Sequence, residues 1–204
     1  HPEKLKRAIE KSIYFITLVI FPILVGLSVL AFPMTALIPK YAKWQPAIPS
    51  LYFFCINVAF AAISSPLINT MNAIGKINKT LKLMVMWTVL TWTLTPVAVY
   101  MFSFTGVAVA SALIAATSYA TVWMVKKYVQ IETMDQIWRQ AFASLAMGAV
   151  ILFLQGVFRP SFVGVLAEIL IGGMLYLSLL LVTGRRKLFV ELESIRPYFV
   201  KGLE

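Results

Sequence analysis

Six stretches of this chain run for about 20 residues or more with hardly a charge, and that length constrains the fold more than any motif. They lie at about 13–38, 48–74, 82–103, 105–125, 138–158 and 161–183. Roughly 20 apolar residues in a helix match the hydrocarbon thickness of a bilayer. Backbone amides find no water there, so only helices and closed barrels cross it. The runs are continuously apolar rather than alternating, which selects helices. Composition agrees: 60% of residues are hydrophobic and 13% charged, about half the charge of an ordinary soluble domain. Connections such as "GKINKT" and "SFT" are short, so consecutive helices should run antiparallel. The expected fold is an all-α membrane protein. A bundle of six transmembrane helices fills 13–183, with a basic amphipathic lead-in over 1–12 and a tail over 184–204. The opening "HPEKLKRAIEKS" has neither Met nor a signal-like apolar stretch and reads as the interior of a longer protein.

The net charge is +10, and its distribution carries more information than its size. Alternate spans assign each connection to one of two sides. One side then holds fifteen of the 18 basic residues: the lysines and arginine of 4–11, Lys76, Lys79 and Lys82, Lys126, Lys127 and Arg139, and the five that follow the sixth span. The other side holds Lys40, Lys43 and Arg159. Short cytoplasmic loops carry this excess in multi-pass proteins. Both ends of the chain are therefore expected in the cytoplasm, and the localisation expected is the cytoplasmic membrane, with the lipid bilayer as partner. A nucleic-acid face would instead gather its basic residues on one surface of a folded domain, so no nucleic acid is expected. Aromatics agree with two interfaces: Tyr41, Trp44, Tyr52, Tyr100, Phe102, Phe104, Phe158 and Phe162 on one side, Trp123, Tyr128 and Trp138 on the other. The tail "RRKLFVELESIRPYFVKGLE" suits either an amphipathic surface segment or an ordinary cytoplasmic tail.

No catalytic constellation is present in the sequence, and neither a cofactor nor a metal is expected. The one histidine is His1, the one aspartate is Asp135, and the one cysteine is Cys55 within an apolar run. The sequence has no H-E-x-x-H, C-x-x-C, G-x-G-x-x-G or P-loop pattern. An enzyme is therefore not expected. What remains is polarity inside the spans. Asn57, Ser64, Ser65 and Asn72 recur at two-turn steps and form one stripe on the second span. Thr88, Thr91 and Thr95 form another on the third. Such groups either bond neighbouring helices or line a water-filled path, and both readings stay open. Glu168 is the one acid inside a span, with Gly164 and Gly172 one turn to either side, and Gln155 is a possible partner. An intramembrane carboxylate is a functional candidate by default. Thr133 and Gln136 have capping-box spacing for the fifth helix. Pro22, Pro66 and Pro96 fall within spans, and the small residues of "GVAVASALIAATSYA" allow close helix approach.

Two stretches carry a family resemblance. Residues 1–38 combine a basic lead-in with a P-x-x-x-G span at Pro22 and Gly26. Residues 64–115 hold "N-A-x-G-K" at Asn72, Ala73, Gly75 and Lys76, then "G-V-A-x-A" from Gly106 to Ala110. Together they resemble the polysaccharide exporters and flippases of the multidrug/oligosaccharidyl-lipid/polysaccharide superfamily. The resemblance implies the C-terminal part of a two-lobe transporter, the last six of fourteen spans, with an N-terminal lobe outside this sequence. It implies a flippase that moves a lipid-linked oligosaccharide or polysaccharide precursor by alternating access. On that reading the substrate pathway is expected along Asn57, Ser64, Ser65 and Asn72, with Thr88 and Thr95 as a weaker wall. The competing expectations are a cation-coupled small-molecule antiporter, for which Glu168 is the one ionisable group in a span, and a non-transporting membrane scaffold.

Overall fold

The computed structural model describes residues 2–157 and 161–193, with side chains over 3–157 and 161–185. Nearly all of these residues are helical. α1 is Pro2–Leu37, α2 Ile48–Ala73, α3 Ile77–Phe102, α4 Thr105–Ala116, α5 Tyr119–Lys126, α6 Thr133–Val157 and α7 Phe162–Glu193, with a 3-10 turn over Ala42–Ala47 before α2. The described chain contains six spans long and apolar enough to cross a membrane, α4 and α5 together forming the fourth. The protein is an all-α, six-helix membrane bundle.

The helices coincide with the six apolar runs, and several extend beyond them. α1 runs unbroken from Pro2, so the lead-in over 1–12 continues the first span. α3 starts at Ile77, earlier than the apolar run, because the lysines of "NKTLK" take helical conformation as readily as leucine. α7 extends past the sixth run with a non-helical kink at Gly184 (φ −148°, ψ 23°). The tail beyond Glu193, and the positions of Phe158 and Arg159, lie outside the described residues.

Local chemistry explains two of the helix ends, at the close of α2 and the start of α7. Gly75 (φ +73°) takes the left-handed conformation that closes α2. The amide of Gly75 donates to the carbonyl of Asn72 and that of Lys76 to the carbonyl of Met71, at 3.0 and 2.9 Å. This is a Schellman cap, so "N-A-x-G-K" marks a helix end. Ser161 accepts from the amide of Gly164 at 2.9 Å and starts α7. The capping box expected at Thr133 does not form. The Thr133 hydroxyl is buried without a partner among the described residues. Instead Glu10 reaches across from α1 and accepts from the amide of Glu132 at 3.1 Å. A carboxylate at a helix start also complements the helix dipole.

Packing order differs from chain order. α1 packs on α2, α6 and α7, α2 on α4, and α3 mainly on α4. The parallel pairs α1–α6 and α2–α4 are as extensive as the antiparallel α1–α2 and α3–α4, while α2 and α3 touch only lightly. Small residues set the closest approach: a Cβ added at Gly106 would strike the carbonyl of Ala98 on α3. The start of α1, the end of α2 and the α5–α6 connection meet in one cluster through Ile9, Ile13, Leu67, Met71, Val125 and Ile131. That cluster marks the lysine-rich end of the bundle. Large apolar side chains such as Trp92, Phe153 and Val163 point outward, each more than 70% exposed, as lipid-facing positions do.

Candidate functional site

The polar stripe of α2 opens onto a cavity of about 290 Å³ between α2, α3 and α4. Asn57, Ser64 and Ser65 line it from α2, Trp87 from α3, and Ser118 from the α4–α5 junction. The position of the cavity follows from the helices around it. α2 and α3 touch lightly, whereas both press on α4, leaving space between them at mid-span. At the junction the fourth span tightens: Thr117, Ser118, Ala120 and Thr121 donate to carbonyls three residues back, at 2.9–3.0 Å. A 3-10 segment inside a helix often marks either a hinge or a stretch under strain. Trp87 donates its indole N–H to the Thr117 hydroxyl at 3.0 Å and ties α3 to this segment.

Within the stripe the residues divide. Asn57 donates from Nδ2 to the carbonyl of Ser111 on α4 at 2.9 Å. It thus bonds a neighbouring helix and lines the cavity at once. Ser64 is buried, with a long 3.5 Å contact to the carbonyl of Ala61. Ser65 is exposed and also borders a second cavity of about 350 Å³ that Ser12, Asn69 and Thr70 line between α1 and α2. Asn72 lies beyond the cavity, exposed at the Schellman cap. Thr88 is exposed and donates to the carbonyl of Met84, and neither Thr88 nor Thr95 lines the cavity. The α3 residue that does is Trp87, which lies one position before the threonine stripe.

Glu168 occupies a separate place. It is 7% exposed on α7 and borders a cavity of about 340 Å³ near the end of the bundle opposite the lysines, together with Leu154, Ser161 and Gly164. Gln155 donates from Nε2 to Glu168 Oε2 at 3.2 Å and to the carbonyl of Val29 at 3.4 Å, joining α6, α7 and α1. Gly172 sits against Met147 and Ile151 of α6, so this face of α7 meets protein. No group of three or more His, Cys, Asp or Glu able to hold a metal occurs among the described residues.

A further polar seam was missed. Gln136, Gln140 and Ser144 follow one another at four-residue steps on α6, and all are buried. Gln140 is fully enclosed, and neither polar atom of its side chain has a partner among the described residues. The i, i+4, i+8 spacing was the available signal. It went unread because Gln136 was assigned to the capping box at the helix start, while Gln140 and Ser144 fall inside the apolar run 138–158. Comparison of the chain with family models, with curated proteins and with solved structures finds no match.

Proposed function

We propose that this chain is a six-helix transporter lobe that helps move the polar head of a lipid-linked oligosaccharide or polysaccharide precursor across the cytoplasmic membrane, as a flippase. The observation that carries the reading is the cavity of Asn57, Ser64, Ser65, Trp87 and Ser118. It lies within the spans, and its polar groups are one neutral amide, three hydroxyls and an indole. Neutral donors and acceptors suit sugar hydroxyls, and an aromatic face suits a sugar ring. They also release what they bind, whereas a buried fixed charge would demand a partner. The partner lobe on this reading is the N-terminal part of the same protein. The lysine-rich end faces the cytoplasm, by the excess of basic residues in its loops.

The test is solvent access coupled to transport. In a Cys55→Ala background, cysteines at Ser64 and Ser65 should react with a small water-soluble thiol reagent. Modification should slow transport of a fluorescent lipid-linked sugar in vesicles. Absence of reaction at both positions in a protein that still transports would reduce the stripe to packing. A second reading, a cation-coupled antiporter, rests on Glu168 at the edge of its own cavity. It requires Glu168→Gln to abolish transport, whereas the flippase reading expects that variant to transport.

A further inference from the structure

Two lysines interrupt the side of the bundle where basic residues are otherwise scarce. Lys40 and Lys43 stand in "PKYAKWQPA", a connection with no acidic residue. The structure gives this connection a definite shape. Lys40 takes φ +74°, and the chain then winds into the 3-10 turn Ala42–Ala47, which docks on both α1 and α2. Tyr41 and Trp44 donate backbone amides to Ile38 and Tyr41, at 3.0 and 2.8 Å.

Beneath this turn is a cavity of about 320 Å³. Leu27, Leu30, Ala31 and Met34 of α1 form one wall, Leu51 of α2 another, and Trp44 stands at its edge. The lining is almost entirely carbon. The cavity belongs to the last turns of α1 and the first of α2, where the hydrocarbon of a bilayer gives way to headgroups. Trp44 is half-exposed, and the Lys43 ammonium lies 5.7 Å from its ring centroid. Among the described residues no carboxylate pairs with Lys43.

We infer that this cavity binds an anionic phospholipid, with one acyl chain in the space lined by Leu27, Leu30, Met34 and Leu51 and the phosphate on Lys43, beside the Trp44 ring that borders the cavity, Lys40 adding to the field. The argument is complementarity at two depths. An apolar space open to lipid is filled by hydrocarbon, because water there would have no partners. A cation held at the headgroup level beside an indole suits a phosphate, because a hydrogen bond from an ammonium to an anionic oxygen is roughly twice as strong as a neutral one. A zwitterionic lipid would fill the space equally well but would gain less from the lysines. A protein carboxylate would satisfy the cation but not the cavity. This site is independent of the flippase reading and stands at a different place from the polar cavity of α2.

The test uses the reconstituted protein with a photoreactive benzoylphenylalanine at Met34, in vesicles of equal phosphatidylglycerol and phosphatidylcholine. Lipid adducts are identified by mass spectrometry. The expected result is enrichment of phosphatidylglycerol adducts, roughly fivefold per basic residue engaged, with the bulk ratio restored in Lys40→Gln/Lys43→Gln. Lys79→Gln, at the opposite end, should leave the enrichment intact and controls for general surface charge. Adducts at the bulk ratio in the unmodified sequence, enrichment that persists in Lys40→Gln/Lys43→Gln, or no lipid adduct at all would each overturn the inference.

Discussion

At the scale of single residues, Glu168 is supported by a shared donor: one amide nitrogen of Gln155 serves both the carbonyl of Val29 and the carboxylate of Glu168. Removing a partner so that a buried group is orphaned costs about 1–3 kcal/mol, whereas replacing both partners with apolar groups is often nearly neutral. Gln155→Leu should therefore lower the thermal midpoint of the detergent-solubilised protein. Gln155→Leu/Glu168→Leu should recover much of the loss. A double variant no more stable than the single one would mean that Glu168 has other support. The Asn57 amide shows why the stripe was ambiguous in the sequence. One side chain bonds a neighbouring helix and lines a cavity, so the two readings held open were not exclusive. The residues that carry the cavity from α3 and α4–α5, Trp87 and Ser118, were illegible because their relevance depends on which helix lies opposite α2.

At the scale of elements, helix identity was legible and helix pairing was not. Apolar length selects a span whatever its neighbours are. Pairing depends on side-chain shape, as at Gly106, where α4 comes against the backbone of α3. Overpacking a tight contact costs about 1–3 kcal/mol and more where backbone must move. Gly106→Val should push α3 from α4, lower the thermal midpoint by several degrees and weaken the Trp87–Thr117 bond. Gly173→Ala, where an added Cβ meets nothing within 4 Å, should leave both unchanged, and circular dichroism melts compare the two. The start of α6 gives the converse lesson. Its local sequence offered Thr133 as a cap, yet the amide of Glu132 is served by Glu10, 122 residues away. A cap supplied from another helix leaves no trace in local spacing.

At the scale of the whole molecule, the basic residues predict an orientation that labelling can test. Cysteines at Lys43 and Lys79, in a Cys55→Ala background, should differ in reaction with an impermeant reagent applied to intact cells. Lys43→Cys should label from outside and Lys79→Cys only after permeabilisation. Equal labelling would remove the expected topology. The sequence by itself determined the membrane environment, the number of spans and which connections share an end, because each follows from local apolar length and from alternation along the chain. Tertiary structure alone decided that α1 is the hub of the bundle. It also decided that α2 lies beside α4 rather than α3, and that Trp87, Asn57 and Ser118 border one cavity. Inside lipid, apolar burial scarcely distinguishes one neighbour from another, so partners are chosen by close packing and a few interhelical hydrogen bonds. Those contacts join residues far apart in the chain, and only the assembled helices bring them together.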